Sequence, residues 1–315
     1  MTSLQSRREF LVQSARIGAG VVLTPAVAAR LSAGERPAPL FHISCTEYSL
    51  HRTIDKGQLD NLAYAPFVKK TFDIDAVEYW NRPFFDKARD AKYLQDMRTR
   101  ADEAGVKGTV ILIDGEGNLG DPDEAKRQDA VDRHKKWVEA AKTLGCYGIR
   151  VNARSQGSYE DQLKLAADGL QRLSEFAKGI DMIIMVENHG GLSSNGKWLA
   201  AVMEQVGMKN CGTLPDFGNF HEYDRYQGTE ELMPYAKLVS AKSHEFDEQG
   251  HETRTDYMKM MNIVLDHAPE HWKQLGSYVG IEFEGSKVSE VEGVKLTKAL
   301  LERVREQLAQ QRAAT

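Results

Sequence analysis

Short apolar runs alternate along the chain with longer stretches whose apolar residues recur every three to four positions. The longer stretches, such as residues 91–105 and 129–145, have the period of amphipathic helices and stop at glycine. The short runs are typical of buried strands. The pattern predicts eight strands, in this order: Phe41–Thr46, Ala76–Trp80, Gly108–Gly115, Tyr147–Ala153, Met182–Asn188, Cys211–Phe217, Leu238–His244 and Tyr278–Gly285.

The spacing of these strands predicts a closed barrel. Successive strands are separated by roughly 30 to 40 residues, the length of one strand and one helix. Eight such units favour a closed parallel barrel over an open doubly wound sheet, which usually carries a Gly-rich phosphate turn after its first strand. The segment CTEYSLHRT at that place has no glycine. The sequence therefore predicts an α/β protein, a single-domain (β/α)8 TIM barrel over residues 36–315.

Polar residues follow the apolar runs at the points where the strands end. In the segment MIIMVENHGG, for example, five apolar residues lead into Glu187 and His189. Catalytic side chains of TIM barrels gather at these carboxyl ends. Three carboxylates and an imidazole at the ends of the last four strands are ligands that suit a divalent cation: Glu187, Asp216, His244 and Glu282. A salt bridge at Glu187, a turn cap at Asp216 and a plain loop histidine at His244 are the structural alternatives.

The ends of the last four predicted strands read VENHGG, LPDFGNF, AKSHEFDEQG and GIEFEG. In this order and spacing, the four segments resemble the xylose isomerase-like TIM-barrel superfamily, in particular its sugar phosphate isomerases and epimerases. The resemblance implies one divalent metal ion, Mn²⁺, Mg²⁺, Co²⁺ or Zn²⁺, held by Glu187, Asp216 and Glu282. It also implies that Glu187 and Glu282 are an acid/base pair and that Lys242 takes part in the chemistry.

The seventh strand departs from the family pattern. Many family members carry His-x-Lys there, whereas this chain has Ser240 and Lys242, with His244 two residues further on. We include His244 in the predicted ligand set, and Lys242, Ser240 or water remain alternatives for that position. The family often has a histidine where this chain has Asn219. This difference bears on the identity of the substrate and not on the metal. The predicted substrate-binding residues are Asp114, Arg150, Asn152, His189 and Asn219.

The resemblance implies a metal-dependent sugar isomerase or epimerase that acts through an enediolate on a free, keto or glycosidic sugar. The same site would serve β-elimination from a 3-keto-glycoside, so a lyase is one alternative, and a non-catalytic exported sugar-binding barrel is another. A phosphodiesterase of the endonuclease IV kind needs more metal-binding histidines than these strand ends offer. The net charge of −5 gives no reason to expect a nucleic-acid partner.

The N-terminal segment resembles a twin-arginine export signal. Arg7 and Arg8 precede an apolar stretch that ends at a small-x-small site, Ala26–Ala28. The resemblance implies that residues 1–35 are a signal peptide cleaved near Ala28, that the export machinery is a partner, and that the protein is periplasmic or otherwise exported. The stretch is too short and too rich in Gly and Ala for a stable membrane span. An amphipathic N-terminal helix is the alternative, and a homo-oligomer is left open.

Overall fold

The computed structural model of the protein describes residues 38–314. The predicted export signal at residues 1–35, with its paired arginines and its cleavage site, lies outside this range and stays a prediction. Within the described residues, no helix combines the length and the apolar character needed to cross a membrane.

All eight predicted strands are present, in the predicted order. The structure ends several of them earlier than the sequence suggested, because the apolar run continues into the loop that follows the strand. The strands are β1 His42–Thr46, β2 Ala76–Trp80, β3 Lys107–Leu112, β4 Gly148–Asn152, β5 Ile183–Glu187, β6 Cys211–Leu214, β7 Val239–Ser243 and β8 Tyr278–Phe283.

The strands form one parallel barrel. Each strand from β1 to β5 pairs with the next strand along the chain, β7 pairs with β8, and β1 pairs with β8 from His42 opposite Tyr278 onward. Between β6 and β7 the pairing is reduced to isolated parallel bridges, such as the one from Asp216 to Ser240. Pro215, just before Asp216, has no N–H to donate to a longer ladder. The two strands are joined there by Ser240 N donating to Pro215 O at 2.9 Å and by Phe217 N donating to Ser240 O at 3.1 Å. The predicted (β/α)8 barrel is confirmed.

Helices surround the barrel and most begin at a side-chain cap. Among residues 38–314 the α-helices are α1 His51–Asp55, α2 Tyr64–Phe72, α3 Ala91–Glu103, α4 Glu124–Leu144, α5 Tyr159–Lys178, α6 Gly196–Val206, α7 Arg225–Leu232, α8 Tyr257–Asp266, α9 Glu270–Gln274 and α10 Glu290–Ala313. Asp123 and Ser158, for example, accept N–H groups of the first turns of α4 and α5. At Gly145 the chain leaves α4 with a φ of 76°, a conformation that glycine adopts without strain.

The barrel interior changes from apolar to polar along its axis. Side chains two residues apart point to the same face of a strand. On β5 and β7 the inward positions are therefore Met185 and Glu187, and Ser240 and Lys242. An apolar cluster inside the barrel contains Met185, Leu214 and Leu238 and lies before these polar residues along the strands. The alternation thus brings carboxylates and a lysine together where the strands end.

Candidate functional site

Three carboxylates converge at the carboxyl ends of β5, β6 and β8. Glu187, Asp216 and Glu282 are buried, and each offers one oxygen within 4.8 Å of the others. Hard and borderline divalent cations prefer carboxylate oxygens. The donor set therefore suits one divalent metal ion, and the structure brings together the three carboxylates that the sequence selected.

Asp216 is held in place by the backbone around it. Its own N–H donates to the Oδ1 of Asn188 at 2.7 Å, and the Nδ2 of Asn188 donates to its carbonyl at 3.0 Å. The N–H groups of Gly218 and Asn219 both donate to Asp216 Oδ1 at 2.9 Å. Asp216 is therefore a turn cap as well as a member of the carboxylate group, because Oδ1 serves the turn and Oδ2 faces the other carboxylates. Sequence reasoning missed Asn188, although it directly follows Glu187.

Ser240 fills the position on β7 where the family often has histidine. Its Oγ lies 2.6 Å from Asp216 Oδ2 and 2.9 Å from Glu282 Oε2. A hydroxyl has one proton, so it can donate to only one of these oxygens at a time. Ser240 thus links two carboxylates without neutralising either.

His244 does not join this group of carboxylates within the described residues. Strand β7 ends at Ser243, so the alternation that carries Ser240 and Lys242 into the barrel does not extend to His244. The backbone N–H of His244 instead donates to Glu252 Oε1 at 3.2 Å, in the loop that follows the strand. The expectation that His244 takes the fourth ligand position therefore finds no support in the geometry.

Two cations face the carboxylates. Lys242 Nζ lies 2.6 Å from Glu284 Oε1 and 3.2 Å from Glu282 Oε1. Burial opposes the charge on Lys242, but the surrounding carboxylates raise its pKa well above the ordinary value. Arg150 Nε lies 2.7 Å from Glu187 Oε2, off the line of a good hydrogen bond, so the contact is an ion pair.

The pKa values of the three carboxylates do not all shift in the same direction. Burial raises the pKa of Glu187 to about 7, although Arg150 acts in the opposite direction. Burial also raises the pKa of Asp216 well above its ordinary value. For Glu282, burial acts in the same direction, but Lys242 and Arg150 outweigh it and lower the pKa. Two glutamates whose pKa values move apart are an arrangement that suits one proton donor and one acceptor.

Four of the five predicted substrate residues line one cavity of about 390 Å³ beside Glu282 and Glu284: Asp114, Arg150, Asn152 and His189. Asn219 is elsewhere, and its Nδ2 donates to Glu187 Oε1 at 2.8 Å. Asp114 accepts hydrogen bonds from Asn152, Arg150 and Trp80. Burial lowers the pKa of His189 to about 4, so its ring is neutral.

The other walls of the cavity come from residues that the sequence did not single out. They are Tyr48, Trp80, Arg82, Glu116, Asn118, His134 and Arg154. Most of them lie on loops after the first four strands, and His134 lies on α4. The ring of Tyr48 meets the ring of Trp80 edge to face at 4.9 Å between centroids. The sequence analysis selected polar residues at the ends of predicted strands. Most of these cavity residues lie beyond the strand ends, so that criterion did not select them.

The barrel and its strand-end carboxylates define a TIM-barrel protein with a candidate metal centre. Residues 68–269 match the sequence profile of the family described as xylose isomerase-like TIM barrel. Because this match spans more than half of the chain, the protein belongs to the xylose isomerase-like TIM barrel family. Among curated proteins, none matches the chain significantly.

Solved structures share the fold at low sequence identity. The E. coli 3-keto-D-glucoside 4-epimerase matches with a TM-score of 0.64 and 14% identity, over 84% of this chain and 99% of the other. The IolI protein with a bound zinc atom matches with a TM-score of 0.66 and 14% identity, over 84% and 98%. A D-tagatose 3-epimerase-like protein matches with a TM-score of 0.63 and 17% identity, over 85% and 99%.

Proposed function

We propose that the protein is a metal-dependent sugar isomerase or epimerase that acts on a free, keto or glycosidic sugar. The observation that carries the proposal is the buried group of Glu187, Asp216 and Glu282 beside a polar cavity. Membership of the xylose isomerase-like family supports it. The names of two structural neighbours, a 3-keto-D-glucoside 4-epimerase and a D-tagatose 3-epimerase-like protein, point to the same class of reaction.

Glu187, Asp216 and Glu282 would hold one divalent metal ion. Mn²⁺, Mg²⁺, Co²⁺ and Zn²⁺ all accept carboxylate ligands, and the zinc-bound neighbour is consistent with this set. When bound, the metal would supply positive charge to stabilise the enediolate that forms when a carbon beside a carbonyl loses its proton.

The protein's own residues would move the proton. Glu187 and Glu282 would remove it from the carbon beside the carbonyl and return it, on the same face or the opposite one. Lys242 lies 3.2 Å from Glu282 and would donate to a substrate oxygen. His189 is neutral at pH 7 and lines the cavity, so it would orient a substrate hydroxyl.

The test of the proposal is exchange of substrate hydrogen with solvent. We expect the manganese-loaded protein in D₂O to introduce deuterium beside the carbonyl of at least one sugar from a panel of free, keto and glycosidic sugars, read by NMR. The same spectra separate an epimerised or isomerised sugar from an eliminated aglycone. If no sugar of the panel gained deuterium and no new product appeared, the proposal of an isomerase or epimerase would be contradicted.

We also propose that the protein is exported through the twin-arginine route, on the basis of the SRREFL segment. Changing Arg7 and Arg8 together to Lys should keep the full-length protein in the cytoplasm, because the export machinery reads the arginine pair. Cell fractionation and immunoblotting measure the result. A matched variant with Arg16 and Arg30 changed to Lys should still be exported. Normal periplasmic accumulation of the Arg7/Arg8 variant would remove this proposal.

A further inference from the structure

The cavity extends across the barrel mouth, away from the carboxylates that would hold the metal. In the order of eight strands, β3 lies opposite β7. The loop after β3 therefore faces the strand that carries Ser240 and Lys242 from the far side. Glu116, Gly117 and Asn118 of this loop line the same cavity as Glu282. A ligand that reaches from Glu282 to Glu116 spans the mouth, and isomerisation of a single ring makes no use of the far end.

Glu116 is turned into the cavity by the conformation of its loop. Gly115 and Gly117 on either side have φ values of 81° and 91°, which favour glycine. Glu116 is only 3% exposed, and its Oε1 receives Trp137 Nε1 at 2.6 Å and Lys136 Nζ at 2.7 Å. No described residue donates a hydrogen bond to Oε2. Oε2 is not fully enclosed by the protein, and because Glu116 lines the cavity, this oxygen faces it.

His134 adds a second acceptor beside Glu116. The side chain is 3% exposed, and its Nδ1 lies 2.7 Å from the carbonyl of Ala130. A carbonyl can only accept, so Nδ1 carries the proton. Burial lowers the pKa of His134, so the ring is neutral and Nε2 presents a lone pair. Two buried acceptors, one on Glu116 and one on His134, thus border the cavity without a protein donor.

The rim at this end has hydrogen-bond donors. Asn118 and Arg154 line the cavity, and no described residue makes a side-chain hydrogen bond or ion pair with either of them. Phe85 packs against Trp137 at 5.9 Å between ring centroids and flanks Gly115, but it does not line the cavity, and Lys136 Nζ lies 5.0 Å from the centroid of its ring. A ligand with several hydroxyl groups matches this combination of acceptors and donors.

We propose that Glu116, His134, Asn118 and Arg154 form a subsite for a second, neutral hydroxylated ring, so that the ligand is a glycoside of two rings. Hydroxyl groups supply the donors that Glu116 Oε2 and His134 Nε2 lack. A carboxylate or a doubly ionised phosphate has no proton to donate to these two acceptors, so a neutral hydroxylated ring suits them better. The inference rests on the proposed function only for the identity of the first ring, which would lie at Glu282.

Binding measurements test the subsite without turnover. Calorimetry with the manganese-loaded protein would compare cellobiose and maltose with methyl β- and α-D-glucoside. We expect at least one disaccharide to bind about tenfold more tightly than its methyl glucoside, because hydrogen bonds to a charged group are among the stronger ones. In Glu116→Gln and in Arg154→Ala, this preference should fall several-fold. Glu139→Gln makes the same change on an exposed position of α4 outside the cavity and should keep the preference.

The outcomes separate the subsite from the reaction. If the wild type binds neither disaccharide more tightly than its methyl glucoside, or if Glu116→Gln and Arg154→Ala both keep the full preference, the subsite is overturned. Arg154 is exposed, so its replacement remains informative if Glu116→Gln fails to fold. A preference that depends on Glu116, together with no deuterium exchange for any sugar, supports the subsite and contradicts the isomerase. Deuterium exchange without a preference for a disaccharide supports the isomerase and overturns the subsite.

Discussion

Glu187→Gln should lower the rate of deuterium incorporation into the substrate by about 10²–10⁴-fold, the usual contribution of a general acid or base. A glutamine amide cannot accept the proton from carbon or return it. The measurement is the initial rate of wash-in by NMR for wild type and variant, each with saturating manganese. Saturating manganese is needed because Glu187 is also a proposed metal ligand, and its replacement weakens metal binding. Only the loss of exchange rate that persists when the metal site is fully occupied reports on proton transfer.

A matched control exists inside the same barrel. Glu78 on β2 is also buried, and Ser44 and Thr46 donate to its two oxygens at 2.6 and 2.8 Å. It is not part of the carboxylate group. Glu78→Gln therefore removes the same chemical group from the same interior, and we expect most of the exchange activity to remain.

The contacts of Glu187 set a condition on this experiment. Asn219 donates to Oε1, and Arg150 lies against Oε2, so both oxygens face donors. The NH₂ group of a glutamine would meet one of these donors, and a half-turn of the Asn219 amide relieves the conflict on its side. Thermal unfolding of the variant should confirm that the fold survives. Wash-in at the wild-type rate by a folded, metal-loaded variant would show that Glu187 is a structural carboxylate only.

The fold followed from the sequence because its signals are local. Each strand is a short apolar run, whereas the helices have apolar residues every three to four positions. The period of the pattern therefore changes at nearly every boundary between a strand and a helix, and long helices such as α4 and α5 end at glycine. Strand ends were less certain. On β6 the run CGTLPDF reads as one strand to Phe217, but Pro215 interrupts the hydrogen bonding and β6 ends at Leu214.

The site was predictable as far as strand alternation reaches. Glu187 and Glu282 are inward positions of regular strands, and Asp216 follows one closely, so their meeting could be anticipated. His244 was selected by the same alternation, but β7 ends one residue before it. From there the chain turns, and Phe246 pairs with Glu252 in an isolated antiparallel bridge. An alternation rule has no meaning beyond the last residue of a strand.

The far end of the cavity could not be predicted because it depends on loop conformation and on contacts between distant segments. Glu116 lies in the segment GEGN, where two glycines permit many conformations. Its position is fixed by Lys136 and Trp137, which lie more than three turns into α4. The ion pair between Arg150 and Glu187 could not be predicted either. It joins side chains on the neighbouring strands β4 and β5, and the sequence does not show which residues of two strands lie side by side.

Asp216→Asn should abolish most of the stabilisation of the protein by a divalent metal. A ligand present at 100 times its dissociation constant raises the free energy of unfolding by about 2.7 kcal/mol. If the variant binds manganese about 100-fold more weakly, the same concentration gives only about 0.4 kcal/mol. Asparagine keeps an Oδ1 that accepts from Gly218 and Asn219, so the turn is preserved. Its NH₂ group replaces Oδ2, removes the charge and offers a metal no lone pair.

Urea unfolding of wild type and variant, with manganese and with a chelator, measures this difference and needs no substrate. Glu284→Gln is the matched control, because Glu284 lies two residues from Glu282 and contacts Lys242 but is outside the carboxylate group. It should keep the full stabilisation. Equal stabilisation of Asp216→Asn and wild type would show that Asp216 is not a ligand. An equal loss in Glu284→Gln would mean that the effect reflects the total negative charge around Lys242 and not a defined set of three ligands.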